Sequence, residues 1–183
     1  MWPLGHAAVA YLGYSASTRT RTGTPPGSLA LVALAVGSQL PDLVDKPLSW
    51  YLGVLPTGRS LGHSVFFLVP LAAVVYVLAR RYSRAEYGLA FGVGLGTHLL
   101  ADALPLLWGD GDIALMLWPL LSIEGYPDGA PTITGLLLAS LDQPYFLSEF
   151  VVAGLAAWLW HRDGYPGVGS LRRRLAALTT AGS

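Results

Sequence analysis

The sequence predicts an all-α fold, a polytopic bundle of transmembrane helices, and three observations carry that prediction. Charged residues make up only 12% of the chain, about half the share in an ordinary soluble domain. Mean hydropathy is positive, at +0.51. The apolar residues also fall in long runs separated by turns rich in Pro, Gly and Arg. At roughly 20 residues per crossing, 183 residues have room for about four or five spans plus short re-entrant or interfacial pieces. A soluble helical domain with every helix buried is the alternative. Residues 1–165 read as one membrane-embedded domain and 166–183 as a polar, Arg-rich tail. The formal net charge is zero, so no nucleic-acid surface is expected. The absence of cysteine excludes disulfides and Cys-based zinc sites.

The first helix is expected from Pro3 to about Ser17, with Pro3 tolerated in its first turn. MWPLGHAAVAYLGYSAS resembles a signal peptide in its apolarity, but the first basic residue is Arg19, beyond the apolar run. A secretory signal has its charge ahead of that run, so the segment reads as a retained helix. TRTRTGTPPGS ends it. A second helix runs from Ser28 to Pro41, and a loop from Pro41 to Gly62 is punctuated by Pro47, Gly53, Pro56 and Gly58. A third helix runs from His63 or Ser64 to Ala79 and a fourth from Arg84 to Leu107. In the fourth, Gly88, Gly92 and Gly96 repeat every four residues, a small-residue stripe suited to close helix packing. Gly94 lies one turn before His98, where it would leave room beside that side chain. From Trp108 to Pro144 the apolar runs are too short to cross. A last helix covers Tyr145 to Trp160, and LRRRLAALTTAGS suggests a short surface helix.

Orientation follows from parity. If the first four helices each cross once, the 18–27 loop and the Arg80/Arg81/Arg84 turn share a side. The last helix brings Arg162 and Arg172–Arg174 there too. The positive-inside tendency makes that side cytoplasmic. The N-terminus, the Pro41–Gly62 loop and the 108–144 region then face outward, with Trp2, Trp50 and Trp108 at that level and Trp158 and Trp160 at the other.

The same parity gathers the polar residues. His6 opens the first helix, Asp42 and Asp45 lie at the outer end of the second, and His63 opens the third. His98 and Asp102, in THLLAD, fall in the outer half of the fourth. Three of the four histidines thus share one end, and His161 lies at the other. His98 and Asp102, at i and i+4, project from one helix face. Asp42 and Asp45 converge if the helical turn continues through Pro41. Imidazole and carboxylate are ligands for zinc, and mixtures of them suit manganese or iron. Duller roles exist for each: an interfacial histidine at His6, turn chemistry at Asp42, a helix start at His63 and a buried ion pair between His98 and Asp102. Ionisable groups within a span are costly, at ~2.5–3.5 kcal/mol on the lenient scale for Asp.

Gly5-His6, PDLVD, RSLGHS and THLLAD, in that order, resemble the membrane-bound metal-dependent hydrolases (YdjM-like, LexA-regulated inner-membrane proteins) over about residues 1–108. The resemblance implies a helical membrane protein with a metal site and hydrolase activity. It implies His6, Asp42, Asp45, His63, His98 and Asp102 as candidate ligands and Arg59 as a nearby cation. The family pattern before the third helix is H-R-G-x-T-H-S, whereas this chain has Gly58 in place of the first histidine. That departure puts a second metal or an accessory catalytic group in question.

These readings combine into an expected function. His6, Asp42, His63, His98 and Asp102 would hold one or two divalent metals, Zn or Mn, that activate water. Asp45 would be a further ligand or a base orienting the water. Arg59 would stabilise developing negative charge, which favours a phosphoester such as a lipid headgroup. The expected location is the cell membrane, with the site on its extracytoplasmic side. Alternatives are a proton or metal-ion transporter and a non-catalytic scaffold braced by metal.

Overall fold

A computed structural model describes residues 1–127 and 129–168. Helices form the regular structure throughout, and no strand occurs among the described residues. Among the described residues, seven α-helices follow one another: α1 (Pro3–Thr22), α2 (Ser28–Lys46), α3 (Val65–Arg81), α4 (Ala85–Ala103), α5 (Ala114–Leu117), α6 (Ile133–Ser140) and α7 (Pro144–Arg162). A π-helical turn, Pro47–Tyr51, extends α2, and a 3-10 turn, Leu104–Trp108, extends α4. Arg172–Arg174 and the surface helix expected there lie outside the described residues.

Two of these units are long and apolar enough to cross a membrane, Ser28–Tyr51 and Ala85–Trp108, each of 24 residues. A third is added if α6 and α7, bent by 89° at their junction, form one broken span. Among the described residues the count is therefore two or three, not the four or five expected from the sequence. The shortfall has physical causes. α3 is strongly apolar, but its 17 residues extend only ~26 Å at 1.5 Å each, against a hydrocarbon core of ~30 Å. α1 ends in STRTRT, whose two arginines leave too short an apolar stretch.

Helix α2 does not stop at Pro41. It continues to Lys46, with the proline buried inside it, as apolar helices tolerate when neighbours satisfy the freed backbone. Asp42 and Asp45 therefore sit one turn apart on a helix rather than in a loop. Ser64 begins α3 by accepting a hydrogen bond from the Phe66 amide at 3.2 Å, an ordinary N-cap.

The bundle is organised around a close backbone contact between α2 and α4. A Cβ added at Gly37 would lie 2.2 Å from the Phe91 carbonyl oxygen, and one at Gly94 would lie 2.5 Å from the Leu34 carbonyl oxygen. Gly94 thus serves helix approach, not free space beside His98. The Gly88/Gly92/Gly96 stripe is less uniform than its spacing suggests. Gly88 is tight against Tyr76 of α3, Gly92 only touches Ala72, and Gly96 faces open space. Around this pair, Ala10 and Tyr14 of α1 pack on Ala30, Leu34 and Ala90. Ala156 of α7 packs on Ala8 and Tyr11.

Among the described residues, the arginines that end α1, α3 and α7 lie at one end, and Arg59 lies at the other. Arg19 pairs with Asp163, which also accepts hydrogen bonds from Tyr11 (2.6 Å) and Ser15 (3.1 Å). Tyr14 donates to Glu86 at 3.2 Å. The C-termini of α1 and α7 and the start of α4 therefore meet, with His161 among them. The remaining histidines lie at the other end.

Candidate metal centre

The contact of α2 with α4 sets the site. Gly37 precedes Ser38, and Gly94 lies one turn before His98, so their close approach presses the His98 ring against the Ser38 carbonyl. The distance from His98 Nδ1 to that oxygen is 2.7 Å. A carbonyl only accepts, so Nδ1 carries the proton and Nε2 is left with a bare lone pair.

His63 is fixed in the same way from the other side. Its Nδ1 lies 2.8 Å from Asp45 Oδ2. That carboxylate also accepts hydrogen bonds from the Ser60 amide (2.6 Å, Oδ2) and the Gly62 amide (2.6 Å, Oδ1). Both Asp45 oxygens are thus engaged, on the side of the ring away from the other histidines. A carboxylate holding one ring nitrogen while the other faces outward is the usual support of a metal-binding imidazole. The close fit of Gly62, where a Cβ would fall 2.5 Å from the Pro41 carbonyl oxygen, lets this loop lie directly on α2.

The two prepared nitrogens meet. His63 Nε2 and His98 Nε2 are 3.1 Å apart. His6 stacks on His98, with ring centroids 3.7 Å apart and planes at 13°. His6 is fully buried, and neither of its nitrogens has a hydrogen-bond partner. Asp102 joins all three. Its Oδ1 is 3.4 Å from His6 Nε2 and accepts from the Met1 amine at 2.5 Å. Its Oδ2 is 3.4 Å from His63 Nε2 and 4.0 Å from His98 Nε2, and it too lacks a hydrogen bond. Asp42 Oδ1 lies 3.6 Å from His63 Nε2. Two groupings have ligand atoms within 4.8 Å of one another: His6, His98 and Asp102, and Asp42, His63 and His98.

These residues fit a metal ion. Buried imidazole nitrogens without partners are costly, and the facing Nε2 atoms of two neutral rings repel unless a proton or a metal ion lies between them. Electrostatics agree at His63. Burial opposes its charged form, but the carboxylates of Asp102 and Asp45 outweigh burial and raise its pKa, so the position favours positive charge. The donor set, three imidazoles and two carboxylates, suits zinc or manganese.

Two side-chain cations border the cluster. Arg59 Nε is 3.1 Å from Asp102 Oδ2, and Lys46 Nζ is 2.5 Å from Asp42 Oδ2. The Arg59 loop is held by Tyr126, whose hydroxyl accepts from the Gly58 amide at 2.9 Å and from Trp50 Nε1 at 3.2 Å. A Cβ at Gly58 would lie 2.8 Å from Trp50 Nε1 and 3.3 Å from the Tyr126 oxygen. The indole and the phenol thus occupy the space a side chain at position 58 would need.

His6, Asp42, His63, His98 and Asp102 are brought into one cluster. Asp45 touches it through His63 and Arg59 through Asp102. Sequence reasoning missed Lys46, Tyr126 and Glu149. Glu149 comes from α7, is 2% exposed, and accepts from the Trp2 amide at 2.8 and 3.1 Å. Trp2 caps α1 without a side-chain bond of its own, so Glu149 caps α1 from another helix. A Cβ at Gly5 would lie 2.6 Å from its carboxylate. The signal was legible in principle, because Glu149 is the one carboxylate in the apolar run of α7, and such residues mark sites by default.

The model of one protein family, described as YdjM inner membrane protein, matches residues 1–172 of the chain. No match was found among curated proteins or among solved structures.

Proposed function

We propose that this chain, which belongs to the YdjM inner membrane protein family, is a metal-dependent hydrolase that cleaves a phosphoester at the membrane. The observation that carries this reading is the facing pair of Nε2 atoms of His63 and His98, 3.1 Å apart, beside a buried His6 whose nitrogens make no hydrogen bond. His6, His63, His98, Asp102 and Asp42 would hold a divalent metal, Zn or Mn. His98 offers a single nitrogen, so the two groupings that share it compete for one ion at that position. Such a metal supplies, when bound, a Lewis acid and an activated water at neutral pH.

The chain's own residues do the rest. Asp45, with both oxygens engaged, holds the His63 tautomer and orientation and acts as a positioning residue. Arg59 is 42% exposed on its side chain and can turn from Asp102 toward a bound phosphoester. There its guanidinium fork would bind two oxygens and stabilise the charge that grows on them. The arginines at the opposite end favour the cytoplasm by the positive-inside tendency, which supports an extracytoplasmic site in the cytoplasmic membrane.

Elemental analysis of the purified protein, joined to turnover of a chromogenic phosphodiester, tests this reading. The expected result is about one tightly held Zn or Mn per chain, lost together with turnover in His98→Ala and Asp102→Ala. Full metal in both variants overturns the ligand assignment. Metal retained by the wild type without turnover of any phosphoester leaves a metal-braced scaffold instead.

A further inference from the structure

We propose that the ligand of this site is a lipid-like phosphoester whose anionic group meets Arg59 and Lys46 and whose chain lies in the aromatic cavity beside them. Cleavage of such a ligand rests on the hydrolase reading above, whereas its binding rests on the cavity alone. The cavity holds about 530 Å³, within the ~300–1,000 Å³ typical of pockets that enclose a small ligand. Arg59 and Lys46 line it, together with Trp2, Trp108, Leu136 and Phe146.

Arg59 and Lys46 connect the cavity to the cluster. Their side chains are 42% and 29% exposed, while the Asp102 and Asp42 carboxylates they pair with are 3% and 8% exposed. A ligand in the cavity therefore meets the cations before the carboxylates, and it meets them as an anion would. An arginine fork beside a lysine suits phosphate oxygens.

The remaining wall decides what the phosphate is attached to. Apolar and aromatic side chains predominate in it, with Ser140, Gln143 and Tyr145 as its uncharged polar members. A hydrocarbon chain therefore covers more of the wall than a sugar or nucleotide, whose many polar groups would be only partly matched. Two acids also line the cavity. Glu149 is already bonded to the Trp2 amide, and Asp110 is exposed. Ile133, in the wall, and Leu138, beyond it, both of α6, are 57% and 63% exposed. The cavity thus runs into apolar surface of the kind that faces lipid, where the rest of a chain can continue.

The test uses protein as purified, in phosphatidylcholine nanodiscs, titrated with a brominated dodecylphosphonate, whose phosphorus–carbon bond resists hydrolysis. Trp2, Trp50 and Trp108 line the cavity, so quenching of tryptophan fluorescence reports entry. Saturable quenching is expected, at least tenfold weaker with a brominated dodecyltrimethylammonium of equal chain length. Leu136→Glu and Trp108→Ala, each checked for retained metal, should weaken phosphonate binding at least tenfold. Inorganic phosphate should compete at least a hundredfold less well than unbrominated dodecylphosphonate. Equal quenching by the cationic probe, unchanged binding in both metal-retaining variants, or equal competition by phosphate overturns the proposal. Phosphonate binding as expected, with no phosphoester cleaved, supports the proposed ligand and removes the hydrolase reading.

Discussion

Nε2 of His63 faces Nε2 of His98 at 3.1 Å, and each ring has its other nitrogen bound to a fixed acceptor, Asp45 for one and the Ser38 carbonyl for the other. Two helices and a loop have been brought together to point lone pairs at one place. An ion bound there stabilises the fold by mass action, by about 4 kcal/mol when free metal exceeds its Kd a thousandfold. Chelation should therefore lower the melting temperature of the purified protein, and Zn or Mn should restore it. In His98→Ala that metal-dependent difference should vanish. An identical melt with and without chelator would sink the metal centre.

Asp45 should matter through His63. Asp45→Asn keeps the shape but cannot accept from the Ser60 amide, the Gly62 amide and His63 together. Metal affinity is expected to fall about 10–100-fold, the usual loss for a supporting carboxylate, with His63 still present. Competition with a fluorescent chelator measures it, and unchanged affinity would make Asp45 a loop anchor only.

Glu149 caps α1 from α7. Glu149→Ala should cost about 0.5–2 kcal/mol, as loss of a cap does, and should loosen metal binding because His6 rides on the same first turn. Glu149→Gln, which keeps an acceptor, should recover most of both. Thermal melts and metal competition run in parallel decide this. Loss of stability with metal affinity intact would separate the cap from the site.

Helix approach gives a paired prediction. Gly94→Ala places a methyl 2.5 Å from the Leu34 carbonyl oxygen, whereas Gly96→Ala meets nothing within 4 Å. The first should destabilise by roughly 1–3 kcal/mol, as overpacking does, and should displace His98 from Ser38 with loss of metal. The second should be neutral or slightly stabilising, since alanine is the better helix former. Equal melting temperatures for the two variants would contradict the α2–α4 contact.

Orientation is open to single-cysteine labelling, because the chain has no cysteine of its own. Val54, 67% exposed, lies by the metal-centre end, and Thr24 lies by the arginine end. A membrane-impermeant maleimide added to intact cells should label Val54→Cys and spare Thr24→Cys. Labelling of both from one side would remove the extracytoplasmic placement.

Much of this was legible in the sequence. Hydropathy and turn residues located α1 to α4 within a few residues, and counting helix ends placed His6, Asp42, His63, His98 and Asp102 at one end. The rest depended on quantities that a linear reading does not contain. Span counting failed at α3, whose composition is right but whose length is short. The end of α2 was misplaced at Pro41, because a proline stops a helix only where its surroundings cannot take up the freed carbonyl. The glycine pattern drew attention to Gly88, Gly92 and Gly96, whereas the closest contacts fall on Gly37 and Gly94, which only the helix register reveals. Glu149 caps a residue 147 positions away, beyond any local motif.

The packing at Gly58 has a consequence for redesign of the site. The Trp50 indole and the Tyr126 hydroxyl occupy the space that a side chain at position 58 would need. A histidine placed there would force the indole off its hydrogen bond to Tyr126 and release the hydroxyl that holds the Arg59 loop. Positions 50, 58 and 126 therefore form one unit, to be exchanged together or not at all.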